Sequence, residues 1–170
     1  MRKIISPGIL ASICLAISTS NLAFADNLAQ VKKSIEAMYL QKNISTEKKD
    51  LTGMMSIYAP GATIKYPNGK VLDRGELEKQ LVALLPLIKS VVSHDVVKTI
   101  SLKGTTALVQ SKRSSTTVTE EPDTHKQDHV VHTAETEDTW VKIGDKWLLK
   151  QVRVIGSHST VNGKTMTSSQ

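Results

Sequence analysis

Asp138 stands two residues before Trp140, and a second tryptophan, Trp147, follows across Gly144-Asp145. A carboxylate against an indole wall either moves protons in an apolar pocket or is buried with a cationic partner. Spacing bears on which. If Gly144-Asp145 is a two-residue turn, Ile143 opposes Lys146, Trp140 opposes Leu149, Asp138 opposes Gln151 and Thr136 opposes Arg153. One face then carries His132, Ala134, Thr136, Asp138, Trp140, Trp147, Leu149, Gln151 and Arg153, and the other Val131, Glu135, Glu137, Val141, Leu148, Lys150, Val152 and Val154. Asp138 lies diagonal to Arg153 in this register, within reach of a long side chain. A turn at Lys103-Gly104 pairs Ile100 with Ala107, Val96 with Ser111 and His94 with Arg113, adding His94 and Arg113 to the first face.

The predicted pocket has an apolar base of Trp140, Leu149, Val96, Val109, Leu81 and Met55. His94, Arg113, Asp138, Gln151, Arg153 and Tyr66 converge on it. A mostly apolar cavity with a few polar groups is the usual form of a small-molecule site. Asp138 and His94 are the candidates for acid-base work. The competing reading makes Asp138 and Arg153 a buried ion pair and both tryptophans simple core. His125, His129 and His132 tempt a metal reading, but the surrounding residues alternate as strands do, which puts His132 on the opposite face from the other two. No metal is expected, no cofactor motif appears, and no Ser-His-Asp spacing or glycine-rich phosphate loop is present.

The elements that must position these side chains can be read from periodicity. Leu28, Val31, Ile35, Met38 and Tyr39 fall at helical spacing, and a second, shorter helix carries Leu51, Met54, Met55 and Tyr58 before Pro60-Gly61 stops it. Asn68-Gly69 marks a hairpin. Asp73 and Glu76 form a capping box for a third helix with Leu77, Leu81, Leu84, Leu85 and Ile88 on its apolar face, and Pro86 kinks or ends it. Beyond Val91, β-branched residues alternate between turns at Lys103-Gly104, around Pro122 and at Gly144-Asp145. The order is α+β: three N-terminal helices, then an antiparallel meander whose curved sheet wraps them. The polar tail, 157–170, has no apolar face and is expected to be loose.

Three stretches, "KDLTGMMSIYAPGATIKYPNG", "RGELEKQLVALL" and "DTWVKIGDKWLL", resemble the SnoaL-like or DUF4440 branch of the nuclear transport factor 2-like superfamily. The resemblance spans about Ile35 to Ile155. It implies a cone with an internal cavity. In steroid isomerases, polyketide cyclases and epoxide hydrolases of this type, a carboxylate in the cavity removes a proton, aided by Tyr, His or Arg. The chain departs from the pattern at Gly61 and Arg153, where relatives often carry an acid and a histidine, so those roles do not carry over.

Arg2 and Lys3, an apolar run from Ile4 to Ile17 and the small-x-small Ala23-Phe24-Ala25 have the form of a secretory signal peptide cut after Ala25. The predicted organisation is a signal peptide at 1–25, one domain at 26–156 and the tail. The run is too short and broken for a stable membrane anchor. Cys14, the only cysteine, lies inside it, so the mature chain would have no thiol or disulfide, which suits a periplasmic or extracellular address. The chain carries 22 basic and 16 acidic side chains. Losing Arg2 and Lys3 leaves a mild excess, with no basic stripe and few aromatics, a pattern that does not fit nucleic-acid binding. The expected function is to bind a small apolar or amphipathic molecule. The alternatives are an Asp-centred isomerase, cyclase or hydrolase, and a protein-interaction module. Outward valines predict a homodimer through the sheet's outer face.

Overall fold

The computed structural model describes residues 17–166, with side-chain surroundings from residue 27 onward. The n-region, Cys14 and most of the apolar run of the expected signal peptide lie outside the described residues. Helix α1 spans Ile17–Glu47 and passes through the expected cleavage point. It buries Val31, Ile35 and Tyr39, the face its apolar spacing forecast. Helix α2, Leu51–Met55, is capped by Asp50, whose side chain accepts from the Gly53 amide, and it buries Met54 and Met55. It ends sooner than its apolar residues suggested, and Tyr58 opens strand β1, Tyr58–Lys65. The Asn68-Gly69 turn then leads into β2, Val71–Asp73. Asp73 and Glu76 close the capping box of α3, Arg74–Leu84, and Pro86 sits in the 3-10 turn that follows.

Four long strands complete the chain: β3 Ile88–Lys103, β4 Thr106–Glu120, β5 Gln127–Ile143 and β6 Lys146–Val161. With a short β7, Lys164–Thr165, they form a curved, unclosed seven-stranded sheet in the order β2-β1-β6-β5-β4-β3, with β7 added on β6. Among the described strands, only β1 and β6 pair in parallel. Helix α1 packs chiefly on β3, whereas α3 packs on β1 and β2, and α2 joins the two helices. The core between helices and sheet centres on Ile35, Tyr39, Ile57, Trp140, Leu149 and Val152. Both tryptophans belong to it.

The register departs from the simple ladder at bulges. Ile143 opposes Lys146 and Trp140 opposes Leu149, as the turn dictates, but Thr139 then pairs with Gln151, leaving Lys150 as an extra residue. Asp138 therefore faces Val152 instead of Gln151, and Thr136 faces Val154 instead of Arg153. The cause lies in the next strand. Between Tyr58 and Thr63, β1 bows away from β6 at Pro60-Gly61, with Gly61 at φ +65°, and the Lys150 ammonium donates to the Pro60 and Gly61 carbonyls at 3.2 and 3.3 Å. In β3 the turn falls at Gly104-Thr105, and a second bulge leaves Lys98 unpaired between Val97↔Ser111 and Thr99↔Gln110. One residue of slip exchanges the faces of everything beyond it.

Two expectations change with the register. Val152 is buried and Val154 half-buried on the inner side, so of the five apolar side chains expected on the outer face, Val131, Val141, Leu148, Val152 and Val154, only the first three remain there. The tail is not loose over its first part: residues 157–161 continue β6 against β5, and Lys164–Thr165 fold back on it around Asn162-Gly163. Asn162 secures that turn by accepting from the His129 amide and donating to Asp128. Backbone pairing, which needs no apolar face, supplies the order that side-chain periodicity could not signal. The bulged register predicts that Val152→Ala costs about 2 kcal/mol while Gln151→Ala stays within about 0.5 kcal/mol. Chemical denaturation of the two variants checks this, and equal small losses would restore the unbulged ladder.

Candidate functional site

Asp138, 1% exposed, lies on the sheet's inner face, as its sequence position indicated. Its partner is not Arg153. Oδ2 of Asp138 receives Arg113 Nη2 at 2.5 Å, the Tyr39 hydroxyl, and Ser111 Oγ at 3.3 Å. Ser111 also pairs with Thr136 at 2.9 Å. The Trp140 indole donates to the Tyr39 oxygen at 3.2 Å, and the two rings meet edge to face at 5.1 Å. Arg113 reaches sideways to Asp95 on β3, with Nε 3.1 Å from Oδ1, and Lys42 donates to Asp95 Oδ2 at 2.6 Å. Two cations and two carboxylates thus alternate along a line from α1 through β3 and β4 to β5. Tyr39 lies above them, with Lys42 and Arg113 each 5.8 Å from its ring centre.

Burial and mutual charge set the protonation states. Desolvation and the neighbouring Asp138 carboxylate push the Tyr39 phenol far above its usual range, so it stays a donor. Burial opposes the charge of Arg113, but Asp138, Tyr39, Tyr58 and Asp95 more than offset this and hold it protonated. Lys42 is pushed down to about 8, first by burial and then by the Arg113 charge, against the pull of Asp95. Burial also raises Tyr58, which lies in the field of Arg113, Asp138 and Asp95. The network is not fully satisfied. Asp138 Oδ1 has no hydrogen-bond partner among the described residues, and Asp95 Oδ1 and Arg113 Nε, though close, are not aligned to bond.

Of the residues forecast from sequence, Asp138, Trp140 and Arg113 meet here. Tyr66 stands exposed at the end of β1, and burial and Arg113 shift its phenol in opposite directions, with a net rise. His94 and Val96 turn outward because of the Lys98 bulge, and Asp95 takes the inner place. Gln151 and Arg153 turn outward because of the Lys150 bulge, where they line an outer depression with Thr99, Gln110, Glu137 and Thr139, and Arg153 pairs with Glu137. His132 is inward and half-buried, bonded to Ser159 at 2.8 Å, with burial lowering its basicity. Tyr39, Lys42 and Asp95 were missed. Tyr39 and Lys42 are three apart on one helix face, which was a legible signal; nothing marked Asp95 without knowledge of the bulge. Among the described residues, no group of three or more His, Cys, Asp or Glu could hold a metal ion, and no described helix is long and apolar enough to cross a membrane.

The curved, unclosed sheet wrapping a few helices is the fold of solved proteins described as nuclear transport factor 2-like. No protein-family profile matches the sequence, and no curated protein is similar enough in sequence to count as a relative. Solved structures do match. A protein from Novosphingobium aromaticivorans, provisionally named a scytalone dehydratase, superposes with a TM-score of 0.64 at 16% identity, over 85% of this chain and 91% of that one. A nuclear transport factor 2-like superfamily protein from Salmonella enterica gives 0.60 at 18% identity, over 75% and 92%. A hexachlorocyclohexane dehydrochlorinase gives 0.60 at 9% identity, over 86% and 99%.

The network predicts which charge removals matter. Asp138→Asn and Arg113→Leu each strand a buried partner and should each cost about 3 to 5 kcal/mol. Arg153→Met removes a half-exposed pair with Glu137 and should cost about 0 to 1 kcal/mol. Thermal melts of the three variants decide it: a loss at Arg153 matching that at Asp138 would contradict the assignment.

Proposed function

We propose that this chain binds a small amphipathic molecule on the concave side of the sheet, between α1 and α3. The apolar body would lie against Tyr58, Leu77 and Val154, which are only partly buried against the core, and against Leu81, one turn beyond Leu77. The stripe of α3 is not sealed: the helix packs on the β1–β2 edge, and none of its residues is fully buried. The polar head would meet the accessible edge of the charge network, Lys42 and Arg113, whose side chains are 13% and 19% exposed. Both are donors, so they favour a head bearing a carbonyl or hydroxyl oxygen.

The observation that carries this reading is the incomplete satisfaction of buried charge. Two cations and two carboxylates on an inner face, with Asp138 Oδ1 unpartnered among the described residues, cost more than apolar residues of similar size would. Stability alone does not account for them; recognition of a polar head does. Proton removal by Asp138 with His94 is the weaker reading, since His94 faces outward and Asp138 Oδ2 is already shared by three donors. The named activities of the structural neighbours, a dehydratase and a dehydrochlorinase, act on small molecules and support the general reading.

Native mass spectrometry of protein purified from its source should show a small-molecule adduct that Leu81→Arg abolishes with little change in melting temperature. An adduct-free wild type across several growth conditions would count against the proposal. Export is proposed on the signal sequence, with the mature chain beginning at Asp26. N-terminal sequencing of the exported protein should begin Asp-Asn-Leu, and an intact Met1 would remove that part of the reading.

A further inference from the structure

Lys42 is the one member of the network that combines an amine with an opening to solvent. Its ammonium group bonds Asp95 Oδ2 at 2.6 Å, and Arg113, a second cation, shares the same carboxylate through Oδ1. Tyr39 lies one helical turn before it on α1, with its ring 5.8 Å from Nζ. The titratable and charged groups around it are therefore Tyr39 from its own helix, Asp95 from β3, Arg113 from β4 and Asp138 from β5. Crowding an amine with a second cation in a desolvated site is the arrangement that activates lysine as a nucleophile.

We propose that Lys42 forms a reversible imine with an aldehyde or ketone that enters between α1 and α3. The proposal rests on that mouth admitting small molecules, the reading given above. The neutral amine attacks the carbonyl carbon and a carbon–nitrogen bond forms; Asp95 Oδ2, already in hydrogen-bond contact, takes the first proton shed by nitrogen and passes it to the carbonyl oxygen to give a carbinolamine. Asp95 then takes the second nitrogen proton and passes it to the departing hydroxyl, and water leaves as the carbon–oxygen bond breaks and the carbon–nitrogen double bond forms. The net change is amine plus carbonyl to imine plus water, and no oxidant or reductant is consumed. Arg113 stays charged throughout and keeps Asp95 in place. Two features equip the position for this role. Lys42 presents a partly open edge, and its lowered proton affinity, about 8, supplies free amine near neutrality, which exposed lysines lack.

Site-resolved trapping tests it. The full-length mature protein is incubated at pH 7 with butanal and sodium cyanoborohydride, digested, and each lysine's alkylation rate is measured by peptide mass spectrometry. Lys42 should react about tenfold or more faster than the exposed Lys33, Lys79 and Lys103, with the α-amino terminus as a fast internal reference. Lys42→Arg, which keeps a cation on Asp95, should melt near the wild type and lose only the fast site. A Lys42 rate no greater than that of the exposed lysines overturns the proposal. Native spectra of the same mixture without reductant then tell two failures apart: butanal held but not bonded overturns the imine alone, and butanal not held at all overturns the imine and counts against the open mouth as well.

Discussion

Arg113 is the side chain on which the interior depends. Its guanidinium joins Asp95 on one neighbouring strand to Asp138 on the other, and those carboxylates tie down Lys42 and Tyr39 from α1. A planar fork can serve two carboxylates at once, which a lysine ammonium cannot do with the same geometry. The helix is thus anchored to the sheet by charge as well as by Val31, Ile35 and Tyr39 in the apolar core. With two cations and two carboxylates the cluster is neutral, which is what allows it to be buried at all. Neutrality is a property of the set, and each member's tolerance of burial rests on the other three.

The fold was legible in the sequence because it rests on local signals. The spacing of Val31, Ile35 and Tyr39, the Asp73-Glu76 capping box, and the Asn68-Gly69 and Gly144-Asp145 turns each act over a few residues, and each appears where the residues placed it. Asp138 and Trp140 were correctly assigned to the inner face because no bulge separates them on β5. The site was legible only in part. Arg153, Gln151 and His94 are each separated from their nearest turn by one bulge, and a single extra residue reverses their faces. The Lys150 bulge originates in a different strand, at Pro60-Gly61, so its cause is about ninety residues from its effect. Periodicity within one segment carries no record of such a contact.

The architecture also separates its two surfaces by chemistry. Inward charges are few, paired and shared between elements, whereas outward ones, such as Glu137 with Arg153, lie directly across one ladder rung and in water. Pairs of the second kind contribute little to stability and are free to change. Those of the first kind are constrained by four elements at once. A sequence tally that counts both kinds alike would miss where the constraint lies.

The spacing of the network along the chain bears on how the molecule assembles. Lys42 and Asp95 are 53 residues apart, and Tyr39 and Asp138 are 99 apart. The β3–β4, β4–β5 and β5–β6 hairpins, by contrast, join neighbours in sequence. Contacts of low sequence separation close first because they restrict less chain. The strands can therefore pair while Arg113, Asp95 and Asp138 are still hydrated. Docking of the first helix, with closure of the longest loops, is the event that strips water from the charges. The electrostatic penalty then falls at the end of folding, when most of the apolar surface that offsets it is already in place.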